Sequence, residues 1–315
     1  MSGTQGACVG VDVGGTTVRV LVQDADGRRS DVVSAPTPRA YDELLVLIAR
    51  LVGGGGSPPL RGAGCGVPGT AHSGKVGFVP ALSYLEGRDL GPDLAGALSA
   101  PVAVANDAQL ALLGEVREGA ARGRGSAVLI SVGTGVGGAL MVEGRIFAGA
   151  RGSSGSWGWL PATGAADSEL HGEFEQVASG TALSRRARLL GVASATDLVE
   201  AARRGDRSAE ESVHAFAARL GRGIAAIASV IDPEMILVAG GLSEAMDVLG
   251  PVIADSCRRF ASPDGRKVPV APASLGPLAG VIGALWLAAG SEGSGAAPDA
   301  TRRSTHISAG RSDSP

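Results

Sequence analysis

Apolar and polar positions along this chain fall into two alternating kinds of block. The stretches 7–13, 61–67, 101–105 and 235–239 are near-continuous runs of Val, Ile, Leu, Ala, Cys and Gly, with the length and composition of buried strands. A paired run, 129–141, is apolar at both ends and broken in the middle by glycines, so it reads as two strands joined by a turn. Segments 41–51, 108–118, 181–190, 195–204, 209–231 and 275–290 carry apolar residues at helical spacing, and 93–98 makes a shorter helix. Asp24-Ala-Asp26-Gly27 supplies a hairpin turn after a strand at 18–23. Gly53 to Pro59 stops one helix, Asp232-Pro233 another, and residues 70–92 have no period and read as a long connection of the kind used for binding. Strands alternating with helices predict an α/β protein.

The turn inside 129–141 is Gly133-Thr134-Gly135-Val136-Gly137-Gly138. Without Cβ atoms such a turn can bring several backbone amides to one ligand, and a threonine hydroxyl beside them completes a site suited to phosphate. The same design occurs near the N-terminus, where the first strand ends at Asp12-Val-Gly14-Gly15-Thr16-Thr17 and a second strand follows. A carboxylate there is well placed to hold Mg²⁺, directly or through water, or else to cap the turn. Asn106-Asp107 stands at the end of a strand and the start of a helix, a position that serves ligand contact and helix capping equally well. Gly240-Gly241 opens a later helix as another amide-rich turn, and the loop 149–164 holds Trp157 and Trp159, either packing anchors or ligand-facing rings.

Composition narrows the function. The chain has 315 residues, enough for two domains, with 50 glycines but no collagen-like period, 44% apolar residues and only 3% aromatics. A net charge of -3 without a Lys/Arg run excludes a nucleic-acid footprint. Cys8, Cys65 and Cys257 lie singly in or beside apolar segments and read as buried free thiols. No signal peptide and no bilayer-spanning stretch are read, so a cytoplasmic protein with no membrane partner is expected. Residues 291–315 carry almost no large apolar side chain and are expected to be disordered.

The ordered set of motifs resembles the ROK family of sugar kinases, within the actin/hexokinase-like ATPase superfamily, over roughly residues 7–290. Besides the two glycine turns, Gly66-Val67-Pro68-Gly69, Asn106-Asp107-Ala108, Glu175 ahead of Ser179-Gly180, Asp232-Pro233-Glu234 and Gly240-Gly241-Leu242-Ser243 match in kind and order. The resemblance implies a two-domain actin/hexokinase-like (ribonuclease H-like) α/β fold with an interdomain active-site cleft. The small domain would be 1–115 plus 274–290, and the large one 116–273. It implies ATP phosphates at Gly14, Gly15, Thr16, Thr17, Gly133, Thr134, Gly135 and Gly137, adenosine near Gly240 and Gly241, and Mg²⁺ positioned by Asp12 through water. The sugar would lie against Gly69, Asn106, Asp107, Trp159 and Glu175, with Asp107 as general base in an ATP-dependent phosphoryl transfer to the 6-hydroxyl of a hexose. Homodimers are common in the family, though no residue here shows one.

Two departures alter the expectation. Where many members carry Gly-x-x-Gly-Glu-x-Gly-His, this chain has Gly152-Ser-Ser-Gly155-Ser156-Trp157-Gly158-Trp159, so Ser156 and Trp159 replace the sugar-binding Glu and His. Ala166, Ser168 and Glu173 stand at the cysteine positions of the family's zinc knuckle, and His171 alone cannot build a tetrahedral zinc site, so no zinc is expected and His171 should be exposed or loosely packed. Losing two polar partners should change the hydroxyl or amine pattern recognised, toward an amino-hexose such as kanosamine. The alternatives are a non-catalytic sugar binder or a regulatory ROK protein. The regulator is disfavoured because the first phosphate strand begins at about Ala7 and leaves no room for a DNA-binding helix-turn-helix.

Overall fold

The computed structural model describes residues 6–53, 59–162 and 171–290. The expected disordered tail, 291–315, lies outside them. The first strand is β1 (Ala7–Val13), followed by β2 (Thr17–Gln23) and a short β3 (Val33–Pro36). After α1 (Tyr41–Gly53) comes β4 (Leu60–Val67). The region expected as one long connection holds a two-stranded ribbon, β5 (Ala71–His72) and β6 (Lys75–Val76), a 3-10 turn at Pro80–Leu85 and the start of α2 (Leu90–Leu98). Strand β7 (Val102–Asn106) then runs directly into α3 (Asp107–Arg117).

The second half repeats the pattern. It has β8 (Ala127–Val132), β9 (Val136–Val142) and β10 (Arg145–Ile146), and then α4 (Glu173–Ala178), α5 (Gly180–Leu189), α6 (Ala195–Arg203) and α7 (Arg207–Ile231). Asp232 ends α7 in the left-handed region at φ 49°, which Asp tolerates, and Pro233 follows. The chain closes with β11 (Ile236–Ala239), a 3-10 turn at Gly241–Ala245, α8 (Met246–Phe260), β12 (Val270–Pro272) and α9 (Ala279–Gly290).

Two five-stranded mixed sheets result, ordered β3-β2-β1-β4-β7 and β10-β9-β8-β11-β12. In each, an antiparallel pair joined by a glycine turn lies beside two parallel strands. Val9, Val11, Ala63 and Cys65 of the first sheet pack with α1 and α2, while the opposite face meets α9 through Cys8 and Leu21. Leu129, Ala139, Met141 and Leu237 of the second sheet pack on Ala108 and Leu112 of α3, and its other face joins Phe216, Leu220 and Ile224 of α7. Helices α3 and α9 therefore form the layer between the two sheets. The three cysteines are free and buried, as expected, and burial raises the Cys65 thiol to about 12.

Glycines make that middle layer thin. A Cβ on Gly64 would collide with the Ala284 carbonyl, one on Gly10 with the Val281 carbonyl, and one on Gly283 with the Leu110 carbonyl. Glu115, fully buried near the end of α3, holds the two chain segments that run between the sheets. Its Oε2 accepts from Ala120 N at 2.8 Å and Ser274 Oγ at 3.0 Å, and its Oε1 from Leu275 N at 2.7 Å. Truncating the side chain strands these donors in the interior. Glu115→Ala is expected to lower the unfolding free energy by about 3 kcal/mol. An unchanged urea midpoint would contradict that accounting.

Candidate active site

Three parallel strands deliver the first group of residues to one sheet edge. Asp12 of β1 is level with Gly66 of β4, and Val67 is level with Asn106 of β7. Gly66 is the spacer between two acids: a Cβ there would lie 3.4 Å from Asp12 Oδ1 and 3.7 Å from the Asp107 Cα. Asp12 and Asp107 are thus near neighbours, although they are far apart in sequence.

Asn106 fulfils the capping alternative and does more. Its Oδ1 accepts from Ala108 N at 3.0 Å and Gln109 N at 3.2 Å, while its Nδ2 donates to the Gly69 carbonyl at 3.0 Å. That last bond fixes the Gly69 turn beside the start of α3. Gly69 must be glycine for packing, since a Cβ would fall 2.5 Å from the Phe78 carbonyl oxygen. Asp107 accepts from its neighbouring amide, Ala108 N, at 2.8 Å. Burial, and then the charge of Asp12, push the Asp107 carboxyl up to about 7, against the pull of hydrogen bonds from Ala108 and Asn106. Burial also raises Asp12, and the guanidinium of Arg19 opposes that rise from 3.6 Å.

Each glycine turn is braced from outside. In the first, Gly14 N donates to Thr17 O at 3.0 Å, and Thr37 supports it twice, through Oγ1 to Gly14 O at 2.7 Å and through N to Thr16 O at 3.0 Å. Gly15 lies beside Ala81. In the second, Gly133 O accepts from Gly180 N and Thr134 O from Thr181 Oγ1, both at 2.7 Å, so the start of α5 seats the turn. A Cβ on Gly135 would strike Glu175, whereas Gly133, Gly137 and Gly241 face open space where a side chain would project. Gly240 has φ 82°, and a Cβ on it would lie 2.5 Å from Val132 O. The pairing of Ala239 with Ser131 sets Gly240 and Gly241 beside the second glycine turn. Open backbone at these turns, with a buried carboxylate at the head of the first, suits a magnesium-nucleotide.

The remaining residues belong to the loop between β10 and α4 and to α4 itself. Glu175 Oε2 accepts from Val136 N at 2.8 Å, and Oε1 lies 2.7 Å from His171 Nδ1, so His171 is largely exposed yet paired. For Trp157 the structure selects the packing alternative. Trp157 is an anchor, donating through Nε1 to Leu129 O at 3.0 Å, and Trp159 is 54% exposed. Ser156 turns its hydroxyl onto Ser153 O at 2.7 Å. Glu173, at a former cysteine position, accepts from Ala162 N at 2.8 Å; Ala166 and Ser168 lie outside the described residues. Sequence reasoning missed Thr37, Arg19 and Gln109, whose Nε2 donates to Gly152 O and ties α3 to this loop. The cross-strand offset of Arg19 from Asp12 was the one available signal among these.

Two similar sheets with paired glycine turns, and a helix that begins on an acid at the sheet edge, define an actin/hexokinase-like α/β fold. The ROK family model matches residues 8–291, and the chain belongs to the ROK family. It is 35% identical to a glucokinase of Halalkalibacterium halodurans, covering 89% of this chain and 94% of that one. It is 31% identical to a kanosamine kinase of Amycolatopsis mediterranei, covering 89% and 95%. The crystal structure of a ROK glucokinase from Streptomyces griseus with glucose and AMPPNP matches with a TM-score of 0.75 at 30% identity, covering 90% of this chain and 99% of that one.

An acid raised from 3.8 to about 7 holds its proton more tightly in the folded chain than in the unfolded one. Ionised Asp107 therefore costs stability, a cost absent below pH 3.8, growing as pH rises and complete above about 7. Asp107→Asn is expected to melt higher than the parent at about pH 8, with the difference shrinking toward about pH 5. Equal melting temperatures at the higher pH would show that the acid is not strained.

Proposed function

We propose that the protein is an ATP-dependent sugar kinase that phosphorylates the 6-hydroxyl of a hexose or amino-hexose. The observation that carries this reading is Asp107, an acid at the first turn of α3, beside Asp12, with a proton affinity matched to neutral pH. In the proposed step Asp107 accepts the proton of the sugar hydroxyl as its oxygen bonds to the γ-phosphorus. The bond from that phosphorus to the β,γ-bridging oxygen breaks, giving ADP and the sugar 6-phosphate.

The amides of Gly14, Gly15, Thr16 and Thr17, with those of Gly133, Thr134, Gly135 and Gly137, would hold phosphates, and Gly240-Gly241 the adenosine. Asp12 would hold Mg²⁺ through water, the ion supplying charge neutralisation on the phosphates when bound. Asn106 and Gly69 would orient the sugar from one side, Glu175 and Trp159 from the other. Closure of 1–115 with 274–290 against 116–273 would exclude water from the transfer. The likeness to glucokinases over 89–90% of this chain supports the kinase chemistry.

For the acceptor, an amino-hexose is favoured by the exposed Trp159 ring and by the internal bond of the Ser156 hydroxyl, which leave the loop with fewer groups for sugar hydroxyls. The likeness to a kanosamine kinase supports the same choice.

The test is coupled ADP release with Mg²⁺-ATP across glucose, mannose, fructose, glucosamine, N-acetyl sugars and kanosamine. One amino sugar should be preferred, its kcat/KM should rise with pH through about 7, and Asp107→Asn should lose at least about 10²-fold in kcat. Preference for glucose would overturn the amino-sugar choice and keep the kinase. Sugar binding without turnover would overturn the kinase in favour of a sugar binder.

A further inference from the structure

Gln109 stands where the two sides of the proposed acceptor site are joined. Asn106 and Gly69 belong to the first sheet and its turns, whereas the loop that carries Trp159 leaves the second sheet after β10. Gln109 is the third residue of α3, two positions past Asp107, so the two side chains leave the first turn in different directions. It is only 4% exposed, and its Nε2 donates to Gly152 O at 3.3 Å, the long end of the hydrogen-bond range.

A closed circuit of contacts runs through that bond. Asn106 Nδ2 holds the Gly69 carbonyl, and Asn106 Oδ1 takes the Gln109 amide N–H at 3.2 Å. Gln109 holds Gly152, and Gly152 lies against β5, just beyond Gly69. Its φ is 74°, and a Cβ on it would fall 2.3 Å from Ala71 O, so main chain meets main chain there. Asp107 lies inside this circuit, between Asn106 and Gln109 in the chain. Further along, the loop is pinned to the second sheet, where Gly155 packs on Gly138 and Trp157 Nε1 reaches Leu129 O. The loop tip therefore bridges the two sheets beside the first turn of α3.

We infer that Gln109 is a positioning residue that seats the acceptor loop on the helix carrying Asp107, so that a sugar held from the loop side presents its hydroxyl to the base; the assignment rests on the sugar kinase reading above. The Gln109 amide is turned to the loop, and it acts through the position of that loop, not on the reacting atoms. The two halves of the acceptor site come from separate sheets, and no strand register fixes the distance between them. The junction at Gly152 does. Phosphoryl transfer depends on alignment, and a displacement of about 1 Å can cost about 10²-fold. A loosened tip would let the sugar sit out of line and leave base and nucleotide to water, because a carboxylate that takes a proton from a sugar hydroxyl also takes one from water.

The assignment predicts a split between the two substrates. By calorimetry on the full chain, with Mg²⁺-AMPPNP and the best-binding sugar of the panel above, Gln109→Met should weaken the sugar about tenfold while Mg²⁺-AMPPNP changes by less than about twofold. Gly152→Ala places a side chain at positive φ against Ala71 O, opens the same junction from the loop, and should weaken the sugar to a similar degree. The double variant should bind sugar within about twofold of the weaker-binding single, the coupling expected of two changes at one contact. In turnover at saturating sugar, both single variants should yield more ADP than sugar phosphate. Sugar affinity unchanged in Gln109→Met, losses that add in the double variant, or equal weakening of sugar and nucleotide would each overturn the assignment. So would a one-to-one yield in both variants, or a parent that binds no sugar of the panel. A parent that binds sugar and AMPPNP yet transfers no phosphate would end the kinase reading, while the calorimetric cycle would still decide Gln109.

Discussion

The close seating of α9 is the constraint on which the site depends. This helix has no charged residue and is apolar on every side, the pattern of a helix with no solvent face. It lies against β1 and β4 at Gly10 and Gly64 and against α3 at Gly114 and Gly283, where main chain meets main chain. Side chains at those glycines would push the helix outward. The Gly280 end would then leave the Asp12 carboxylate, and α3 would carry Asp107 away from Gly66. Packing of the middle layer and spacing of the two acids are the same geometric fact.

That spacing governs the electrostatics. Two carboxylates with a single Cβ-less residue between them cannot both ionise freely, and the more enclosed one, Asp107, responds by holding its proton to near neutrality. The glycine turns act in the opposite sense, since their open amides attract anions. Thr37 braces one turn and the start of α5 the other, so these amides are held before any ligand arrives. The proposed chemistry needs this preorganisation more than it needs any one strong contact.

Much of this was readable in order along the chain. The long strands and helices announce themselves by period, and both glycine turns, Asn106-Asp107 and Gly240-Gly241 stand at element ends where their types have mechanical meaning. What escaped is defined by partners remote in sequence. The short edge strands β3 and β12 exist only through pairing with β2 and β11. The ribbon β5–β6 is too brief to carry a period. Glu115, Thr37 and Gln109 act on segments whose position only the folded chain reveals. Asp107 was readable as a residue type at a strand end, but its proton affinity was not, because that depends on Asp12 across Gly66.

The loop that departs from the family pattern follows the same logic of substitution. Glu173, where a thiolate would stand, receives the Ala162 amide; Phe174 N donates to Leu160 O at 3.1 Å, and His171 pairs with Glu175. Ordinary hydrogen bonds thus join the two described sides of this segment. Such bonds are individually weak and directional, so they bind the groups that make them. Glu175 is drawn between the Val136 amide and His171, and Ser156 folds onto its own loop. The Ser156 hydroxyl, spent on its own loop, is thereby withdrawn from other partners, while the Trp159 ring is left exposed. On this argument the acceptor preference proposed above follows from how the loop distributes its own polar groups.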